Sequence, residues 1–243
     1  MRRFGLIGYP LSHSFSKKYF SEKFLREGIA DCEYENFPIP AITDFRKILS
    51  VNQGIEGLNV TIPYKQSVIQ YLDHYIHTLP IAACNCIKIR DGISTGYNTD
   101  IIAFEKSLLA ELKPRHQNAL ILGNGGSAQA VQYVLRKLGI FFKIVSRKIH
   151  DGAELVYEDL DEEVISQHPL IINTTPLGMY PHIGDFPRIP YQHIGSNHYL
   201  YDLVYNPSKT VFLQNGEEMG ATIRNGADML IIQAEASWKI WNS

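Results

Sequence analysis

The sequence predicts an α/β fold of two domains. Along the whole chain, apolar segments of strand length alternate with segments whose apolar residues recur at helical spacing, which is typical of parallel sheets with crossover helices. A glycine-rich turn at Gly123 lies between one such strand and the next helix, and a polar stretch over residues 113–118 interrupts the pattern near the middle. Together these observations favour two α/β units in one chain.

Composition limits the classes of function. The 243 residues are 20% charged, with a net charge of −2 and no run of like charges, which argues against nucleic acid or an anionic membrane surface as the main partner. No apolar stretch approaches the roughly 18 residues of a membrane span, and the apolar stretch near the N-terminus is too short for a signal peptide. We expect a cytoplasmic protein with small-molecule partners, either a monomer or a homodimer.

The three cysteines, Cys32, Cys84 and Cys86, are an odd and low number that suits reduced thiols. Cys84 and Cys86 are two residues apart and would share one face of a strand. Since further ligands are missing nearby, we expect small strand residues here and no metal site.

In the first domain, strands are predicted over residues 4–8, 33–37 and 57–61, and helices over 14–27 and 42–51. Thr43 or Asp44 would cap the second helix, and Pro63 would open a third. Asp91-Gly92 is a two-residue hairpin turn between strands 85–90 and 93–97.

The second domain begins with a linking helix over residues 101–112, before the polar break. Strands follow at 119–122, 141–145, 170–173 and 199–203, with a helix at 128–138. The apolar periodicity of residues 229–241 predicts a final helix that packs back on the first domain. The predicted domains are therefore residues 1–100 with 229–243, for substrate binding and catalysis, and residues 101–228, for a dinucleotide.

The dinucleotide prediction depends on Gly123-x-Gly125-x-x-Ala128, which follows a strand and opens a helix. Gly123 permits the tight turn, Gly125 lets the backbone approach a pyrophosphate, and Ala128 allows close packing of the helix on the strand. The free amides at the helix N-terminus then face the phosphates. This is the signature of a Rossmann-like, doubly wound domain, although a glycine-rich connection without a ligand would read the same way.

The next strand ends at Ser146-Arg147-Lys148, where an NAD-binding domain usually has an acidic residue for the ribose hydroxyls. Arg147 and Lys148 would instead meet a 2′-phosphate, which favours NADP. The alternative is two solvated surface cations, and Asp151 and Glu154 nearby could weaken the effect.

The candidate catalytic residues lie in the first domain. Asn59 and Thr61 share a strand face and offer hydrogen bonds to a polyhydroxylated ligand. Lys65 would sit in the first turn of a helix, where a cation is electrostatically disfavoured, so a role in proton transfer is more natural than a role in stability. Asp100 would face Lys65 as its carboxylate partner. Alternatively Asp100, or Thr99 in its place, would cap the linking helix, and both roles of Asp100 can hold at once.

A series of motifs in this order resembles the shikimate dehydrogenase family, over nearly the whole chain. The motifs are Gly8-x-Pro10-x-x-His13-Ser14-x-Ser16, Asn59-Val60-Thr61-x-Pro63-x-Lys65, Asn85, Gly96-x-Asn98-Thr99-Asp100, the turn at Gly123, Asn173-Thr174-Thr175-Pro176-Leu177-Gly178-Met179, Asp202-Leu203-Val204-Tyr205-Asn206-Pro207 and Asn225-Gly226-x-x-Met229-Leu230-x-x-Gln233-Ala234. Each motif alone is only suggestive, but the ordered set is specific.

The resemblance implies reversible reduction of 3-dehydroshikimate to shikimate with NADPH, in aromatic amino acid biosynthesis. It implies Lys65 as the acid/base with Asp100 orienting it, and Ser14 and Ser16 at the substrate carboxylate, supported by Tyr205. The ring hydroxyls would be bound by Asn59, Thr61, Asn85, Asp100 and Gln233. The NADP site would contain Gly123, Asn124, Gly125, Gly126, Ser127, Ser146, Arg147, Lys148, Thr174, Leu203 and Gly226.

The chain departs from the family pattern at a few positions. Cys86 replaces the usual Thr, Asn124 a common Ala, Ser146 the usual Asn and Lys148 a Thr. Two alternatives stay open from the sequence: a relative that also takes quinate and uses NAD, and a cofactor-binding sensor without catalysis.

Overall fold

The computed structural model describes residues 1–11, 15–76, 82–149 and 152–243. The chain forms two compact units, one of Met1–Ile102 with Leu230–Ser243 and one of Ala103–Met229. The predicted limits at 100/101 and 228/229 lie within two residues of these boundaries. In the described residues, no helix has the length and apolar character needed to cross a membrane.

The first unit is a six-stranded mixed sheet with helices on both faces. Its strands lie in the order β2-β1-β3-β5-β6-β4; β1 is parallel to β2 and β3, and β5 is antiparallel to β3 and β6. The elements are β1 (Arg2–Gly8), α1 (Phe15–Arg26), β2 (Cys32–Pro38), α2 (Phe45–Val51), β3 (Ile55–Val60), β4 (His74–Tyr75), β5 (Cys86–Arg90) and β6 (Ile93–Tyr97), with 3₁₀ helices at Ile42–Asp44 and Ser67–Tyr71.

Alternation along the strands gives this sheet a hydrophobic core on each face. Phe4 and Leu6 of β1 pack with α1 residues, whereas Ile7 packs with Phe45 of α2. Cys84 belongs to the Ile7 cluster and Cys86 to the Phe4 cluster, so the prediction that they share a face is wrong. The reason is that β5 begins only at Cys86, and the irregular backbone before it breaks the two-residue alternation.

The C-terminal helix, α7 (Ala227–Trp241), packs its later turns on the first sheet, as predicted. Trp241 is 3% exposed, donates its indole N–H to the Ile87 carbonyl at 3.0 Å and stacks on Phe4 at 4.9 Å between ring centroids. A Cβ at Gly57 would come within 2.4 Å of the Trp241 ring, so glycine at this position makes room for the indole. The buried Lys23 adds an ion pair to Glu235 at 2.8 Å.

The second unit is a doubly wound parallel sheet. Its order is β9-β8-β7-β10-β11-β12, which in chain order within the unit is 3-2-1-4-5-6, the Rossmann arrangement. The elements are α3 (Thr99–Leu109), whose first turn belongs to the first unit, β7 (Asn118–Leu122), α4 (Gly126–Lys137), β8 (Phe141–Ser146), β9 (Leu155–Val156), α5 (Glu162–Gln167), β10 (Leu170–Asn173), β11 (Tyr199–Asp202), α6 (Val211–Glu218) and β12 (Thr222–Asn225), with 3₁₀ helices at Tyr157–Asp159 and Tyr191–His193.

Two local predictions are wrong. Pro63 does not open a helix, because the Tyr64 amide donates to the Thr61 carbonyl at 2.9 Å and forms a turn instead. The buried Tyr64 hydroxyl donates to the Ile39 carbonyl and holds this turn in place. Lys65 therefore lies in a turn between β3 and a 3₁₀ helix. Residues 42–51 are also not one helix: a 3₁₀ turn precedes α2, and neither Thr43 nor Asp44 makes a side-chain cap.

Candidate active site

Lys65 and Asp100 form the centre of the candidate site in the first unit. Lys65 Nζ donates a hydrogen bond to Asp100 Oδ2 at 2.7 Å, and 36% and 24% of the two side chains remain exposed. An ammonium group has three donors, and within the described residues only this one is used by the protein. The pair can therefore bind an oxygen of a ligand without losing its own contact.

The start of α3 leaves the Asp100 carboxylate free for this contact. Asn98 Oδ1 accepts the amides of Asp100 at 3.0 Å and Ile101 at 3.3 Å, which makes Asn98 the N-cap. The prediction of a cap at Thr99 or Asp100 is thus wrong, since the helix begins earlier than the apolar pattern suggested. Asp100 is left in the first helical turn, where a negative charge is favourable.

Asn59, near the carboxyl end of β3, is held by three protein groups. Tyr34 Oη donates to its Oδ1 at 3.0 Å, and its Nδ2 donates to the Asn85 carbonyl at 3.2 Å and to Ser237 Oγ at 2.9 Å. The side chain is buried, with 8% exposure. These contacts bring β2, β3 and α7 together at one amide.

Asn85 joins the loop before β5 to α3 and α7. Its Oδ1 accepts the Thr99 amide at 2.6 Å, and its Nδ2 donates to Thr99 Oγ1 and to Gln233 Oε1 at 3.1 and 3.3 Å. Gln233 Nε2 makes no hydrogen bond within the part of the chain that the structure describes. The predicted site residues Asn85 and Gln233 are thus in contact, and the free amide of Gln233 remains available to a ligand.

Ser16 and Thr61 lie on the same unit. Ser16 is partly buried and lies close to the Tyr34 hydroxyl, whose pKa is raised strongly by burial. Thr61 packs against Gly8, where a Cβ would come within 2.5 Å of Thr61 Cγ2, so the glycine of the first motif allows the β1 and β3 ends to approach. Ser14, predicted at the substrate carboxylate, lies outside the described residues.

The turn between β7 and α4 has the geometry predicted for phosphate binding. Gly123 has φ +99°, and a Cβ there would meet Thr174 and Thr175 at 3.0 Å or less. Cβ atoms at Gly125 and Gly126 would meet nothing within 4 Å, and the N-cap residue of α4, Gly125, has no side chain that could cap the helix. These positions offer backbone amides to open space, which fits a pyrophosphate.

The turn lies at the switch point of the sheet, between β7 and β10, where ligands of this fold bind. Thr174 at the end of β10 donates its hydroxyl to the Leu122 carbonyl at 2.8 Å and so fixes the glycine turn. Gly226 has a packing role, since a Cβ would come within 2.7 Å of the Leu203 carbonyl oxygen. Thr174, Leu203 and Gly226 are thus brought to the carboxyl ends of the strands, as structural supports of that region.

Ser146, Arg147 and Lys148 follow β8, next to the glycine turn. Ser146 is buried, and its hydroxyl is hydrogen-bonded to the backbone of Lys148, which fixes the turn. Arg147 and Lys148 are exposed, and no described carboxylate pairs with either. Glu154 accepts the Ile144 amide instead at 2.7 Å, while Asp151 lies outside the described residues. Two cations are therefore available to a phosphate.

A buried carboxylate supports the loops after β10 and β11. Asp202 is fully buried and accepts hydrogen bonds from Asn173 Nδ2 at 2.9 Å, Thr210 Oγ1 at 2.5 Å and the Val204 amide at 3.0 Å. Burial outweighs these bonds and raises the pKa of Asp202 to about 6. Tyr205, in the loop that Asp202 anchors, is 46% exposed in the second unit.

Sequence reasoning missed three residues of the polar network around Asn59 and Asn85. Tyr34 reads as an apolar strand residue, Ser237 as a small residue of a helix, and Thr99 as a cap. Their hydroxyls meet Asn59 or Asn85 across 14 to 178 residues of chain. The only available signal was the placement of polar groups on otherwise apolar faces of β2 and α7.

Comparison with known proteins covers both units. The family described as shikimate dehydrogenase substrate binding domain matches residues 6–87. Shikimate dehydrogenase (NADP(+)) of Methanococcus vannielii is 35% identical over 261 residues, covering 98% of this chain and 90% of that protein. The enzyme of the same name from Halothermothrix orenii is 37% identical, with 98% and 89% covered.

A solved structure has the same fold. Shikimate 5-dehydrogenase from Thermus thermophilus, in complex with NADP(H) and shikimate, superposes with a TM-score of 0.84 at 26% identity. The match covers 99% of this chain and 93% of that one. The similarity therefore spans the sheet that carries Lys65 and the sheet that carries the glycine turn.

Proposed function

The chain belongs to the shikimate dehydrogenase family, and we propose that it is an NADP-dependent oxidoreductase that interconverts 3-dehydroshikimate and shikimate. This reaction belongs to the biosynthesis of the aromatic amino acids. The observation that carries the proposal for the site is the 2.7 Å hydrogen bond between Lys65 and Asp100, beside a cluster of amide and hydroxyl groups.

Reduction of a ketone needs a hydride at carbon and a proton at oxygen. NADPH, when bound, supplies the hydride. Protonated Lys65 stabilises the negative charge that develops on the oxygen and delivers the proton. The Asp100 carboxylate accepts one N–H group of the ammonium and so holds it in place. The other two N–H groups are available to the substrate oxygen. In the oxidative direction neutral Lys65 takes the hydroxyl proton back.

The remaining substrate contacts are assigned by chemistry. Ser14 and Ser16 donate to the substrate carboxylate, and Tyr205 supports that end of the substrate. Ring hydroxyls exchange hydrogen bonds with the polar groups of the first unit; these are Asn59, Thr61, Asn85, Asp100 and Gln233. Among the described residues, the amide nitrogen of Gln233 keeps hydrogen-bonding capacity, which supports its part in this set.

The donor set of the second unit fits NADP. The open first turn of α4 offers amides to the pyrophosphate, and Arg147 with Lys148 offers positive charge to the 2′-phosphate. We assign to this site Gly123, Asn124, Gly125, Gly126, Ser127, Ser146, Arg147, Lys148, Thr174, Leu203 and Gly226.

The two alternatives are not favoured. An NAD-dependent quinate enzyme would be expected to carry an acidic residue after β8, and Ser146-Arg147-Lys148 occupies that position. A sensor that had lost catalysis would have no reason to keep a Lys65–Asp100 pair that is accessible from solvent.

The Lys65→Ala variant tests the acid/base role. We expect kcat for shikimate oxidation to fall by about 10²–10⁴-fold, which is the usual contribution of a general acid–base group. The affinity for NADP, measured by calorimetric titration, should stay unchanged because Lys65 belongs to the other unit.

Lys137→Ala is the matched control, since Lys137 also pairs with a carboxylate at 2.7 Å but lies on α4, outside the proposed site. This variant should keep the rate of the unmodified protein. A Lys65→Ala rate within about threefold of the unmodified protein would exclude Lys65 as the acid/base.

A further inference from the structure

The carboxamide of Asn59 has four hydrogen-bonding positions, two N–H donors and two lone pairs on Oδ1. The protein occupies three of them. Both donors are used, by the Asn85 carbonyl at 3.2 Å and Ser237 Oγ at 2.9 Å, and one lone pair accepts from Tyr34 Oη at 3.0 Å. One lone pair of Oδ1 is left, on a side chain that keeps 8% of its surface exposed.

The partners of Asn59 also fix which end of the amide is the oxygen. Ser237 donates its own hydroxyl proton to the Gln233 carbonyl at 2.9 Å, so Ser237 Oγ meets Asn59 as an acceptor. The Asn85 carbonyl is an acceptor as well. A rotated amide would direct its oxygen at two acceptors, and this buried arrangement would leave both without a donor. The observed orientation is therefore the stable one.

Tyr34 completes the arrangement from the opposite side. The ring is 3% exposed and is fixed by stacking on Phe20, with 4.6 Å between centroids and 14° between planes. The hydroxyl has a single proton, and it donates this proton to Asn59 Oδ1 because an amide oxygen can only accept. A rigid phenol on β2 thus determines where the Asn59 oxygen lies.

We infer that Tyr34 and Ser237 are positioning residues, which hold Asn59 so that it accepts a hydrogen bond from one substrate hydroxyl and cannot donate one. The inference rests on the proposed function, because it explains how the proposed contact of Asn59 with a substrate hydroxyl becomes selective for a donor. Neither residue touches the reacting atoms. Their effect is exerted through Asn59, and it selects a ligand that carries a hydroxyl proton at that point of the ring.

The test compares shikimate with the three analogues that each lack one ring hydroxyl, by calorimetric titration without NADP. The unmodified protein should discriminate against one analogue by about tenfold, the effect of one neutral hydrogen bond. In Tyr34→Phe the affinity for shikimate should fall by about tenfold, and the discrimination against that analogue should shrink to about twofold or less, because the amide oxygen is no longer held. In the rate assay, KM for shikimate should rise while kcat changes by less than about threefold.

Ser237→Ala releases the amide from its nitrogen side and should reduce the same discrimination. Tyr201→Phe is the matched control: it removes another buried hydroxyl, bonded to Ser107 at 2.7 Å in the second unit, and should leave the affinity for shikimate unchanged. Thermal unfolding of all three variants checks that they are folded at the temperature of the titration.

The inference is wrong if Tyr34→Phe and Ser237→Ala leave the discrimination as in the unmodified protein, whatever happens to overall affinity. It is also wrong if Tyr201→Phe weakens shikimate binding as much as Tyr34→Phe does, since that would show that the loss of any buried hydroxyl weakens binding. A different result, no binding of shikimate to the unmodified protein, would overturn the proposed function and the inference with it.

Discussion

At the scale of single residues, we propose that Arg147 determines which cofactor is preferred. It is exposed after β8, and no described carboxylate neutralises it. A guanidinium that binds a phosphate with two N–H groups is worth more than a neutral hydrogen bond, about 1.5–3 kcal/mol. In Arg147→Ala we expect KM for NADP to rise by about 10- to 100-fold, whereas KM for NAD should change little.

The measurement is the ratio of kcat/KM for the two cofactors at saturating shikimate. Arg136→Ala is the control, because Arg136 lies in the last turn of α4, where its side chain covers the Phe142 ring. Equal losses with NADP and NAD would show that Arg147 does not read the 2′-phosphate. Lys148 would then be the remaining cation to test.

Residue patterns predicted some of these roles and missed others for a physical reason. Lys65 and Asp100 were proposed as a pair, and the structure places them 2.7 Å apart, although the helix turn from which the role of Lys65 was argued does not form. Asn98 could not be recognised as the cap of α3, since three successive polar residues, Asn98, Thr99 and Asp100, are all capable of capping a helix. Only the backbone geometry separates them.

Asp202 links two strands of the second sheet and gives stability a pH dependence. Its pKa is raised to about 6 in the folded chain from the ordinary 3.8. The folded chain therefore binds this proton more tightly than the unfolded chain. Between about pH 4 and pH 6, the contribution of Asp202 to the free energy of unfolding therefore falls as the pH rises. Above this range Asp202 is ionised in both states, and the contribution has been lost.

Asp202→Asn removes the titration and keeps an oxygen that can accept the Val204 amide. Urea unfolding of both proteins at pH 5 and pH 7.5 measures the difference in free energy of unfolding. The unmodified protein should lose about 1 kcal/mol relative to Asp202→Asn between these two pH values. Asp73 and Glu27 have lowered pKa values, so their effect on stability has the opposite pH dependence. This effect is the same in both proteins and cancels in the comparison. A difference that stays constant with pH would contradict the assignment.

Helices and strands could be predicted where apolar residues recur regularly over a long segment, and turns where a characteristic residue pair occurs. The turn at Asp91-Gly92 was identified from two residues, and its positive φ values of 53° and 77° are those of the predicted hairpin. By contrast α5 has only six residues with a single fully buried one, Ile165, and β12 has four residues that are all only partly buried. Such segments are stabilised by the rest of the sheet, so their own sequence contains little signal.

At the scale of the whole molecule, the alternation of strands and helices was enough to predict two α/β units. Sheet order was not, because it depends on pairings between distant segments, such as β7 with β10. The same limit applies to the site. Asn59 and Ser237 are 178 residues apart, and no local pattern indicates that they meet. The sequence therefore could not predict how these residues hold one another.

The most direct test of the proposed function is the initial rate of NADP reduction with shikimate, repeated with NAD as the cofactor and with quinate as the substrate. We expect turnover with shikimate and NADP, and a kcat/KM that falls at least tenfold when NAD replaces NADP, because the proposed contact of Arg147 with the 2′-phosphate is then lost. Equal rates with NAD or quinate would assign the chain to a less selective relative. Absence of turnover with every pair, while NADP still binds, would contradict the proposed role of Lys65 and Asp100 altogether.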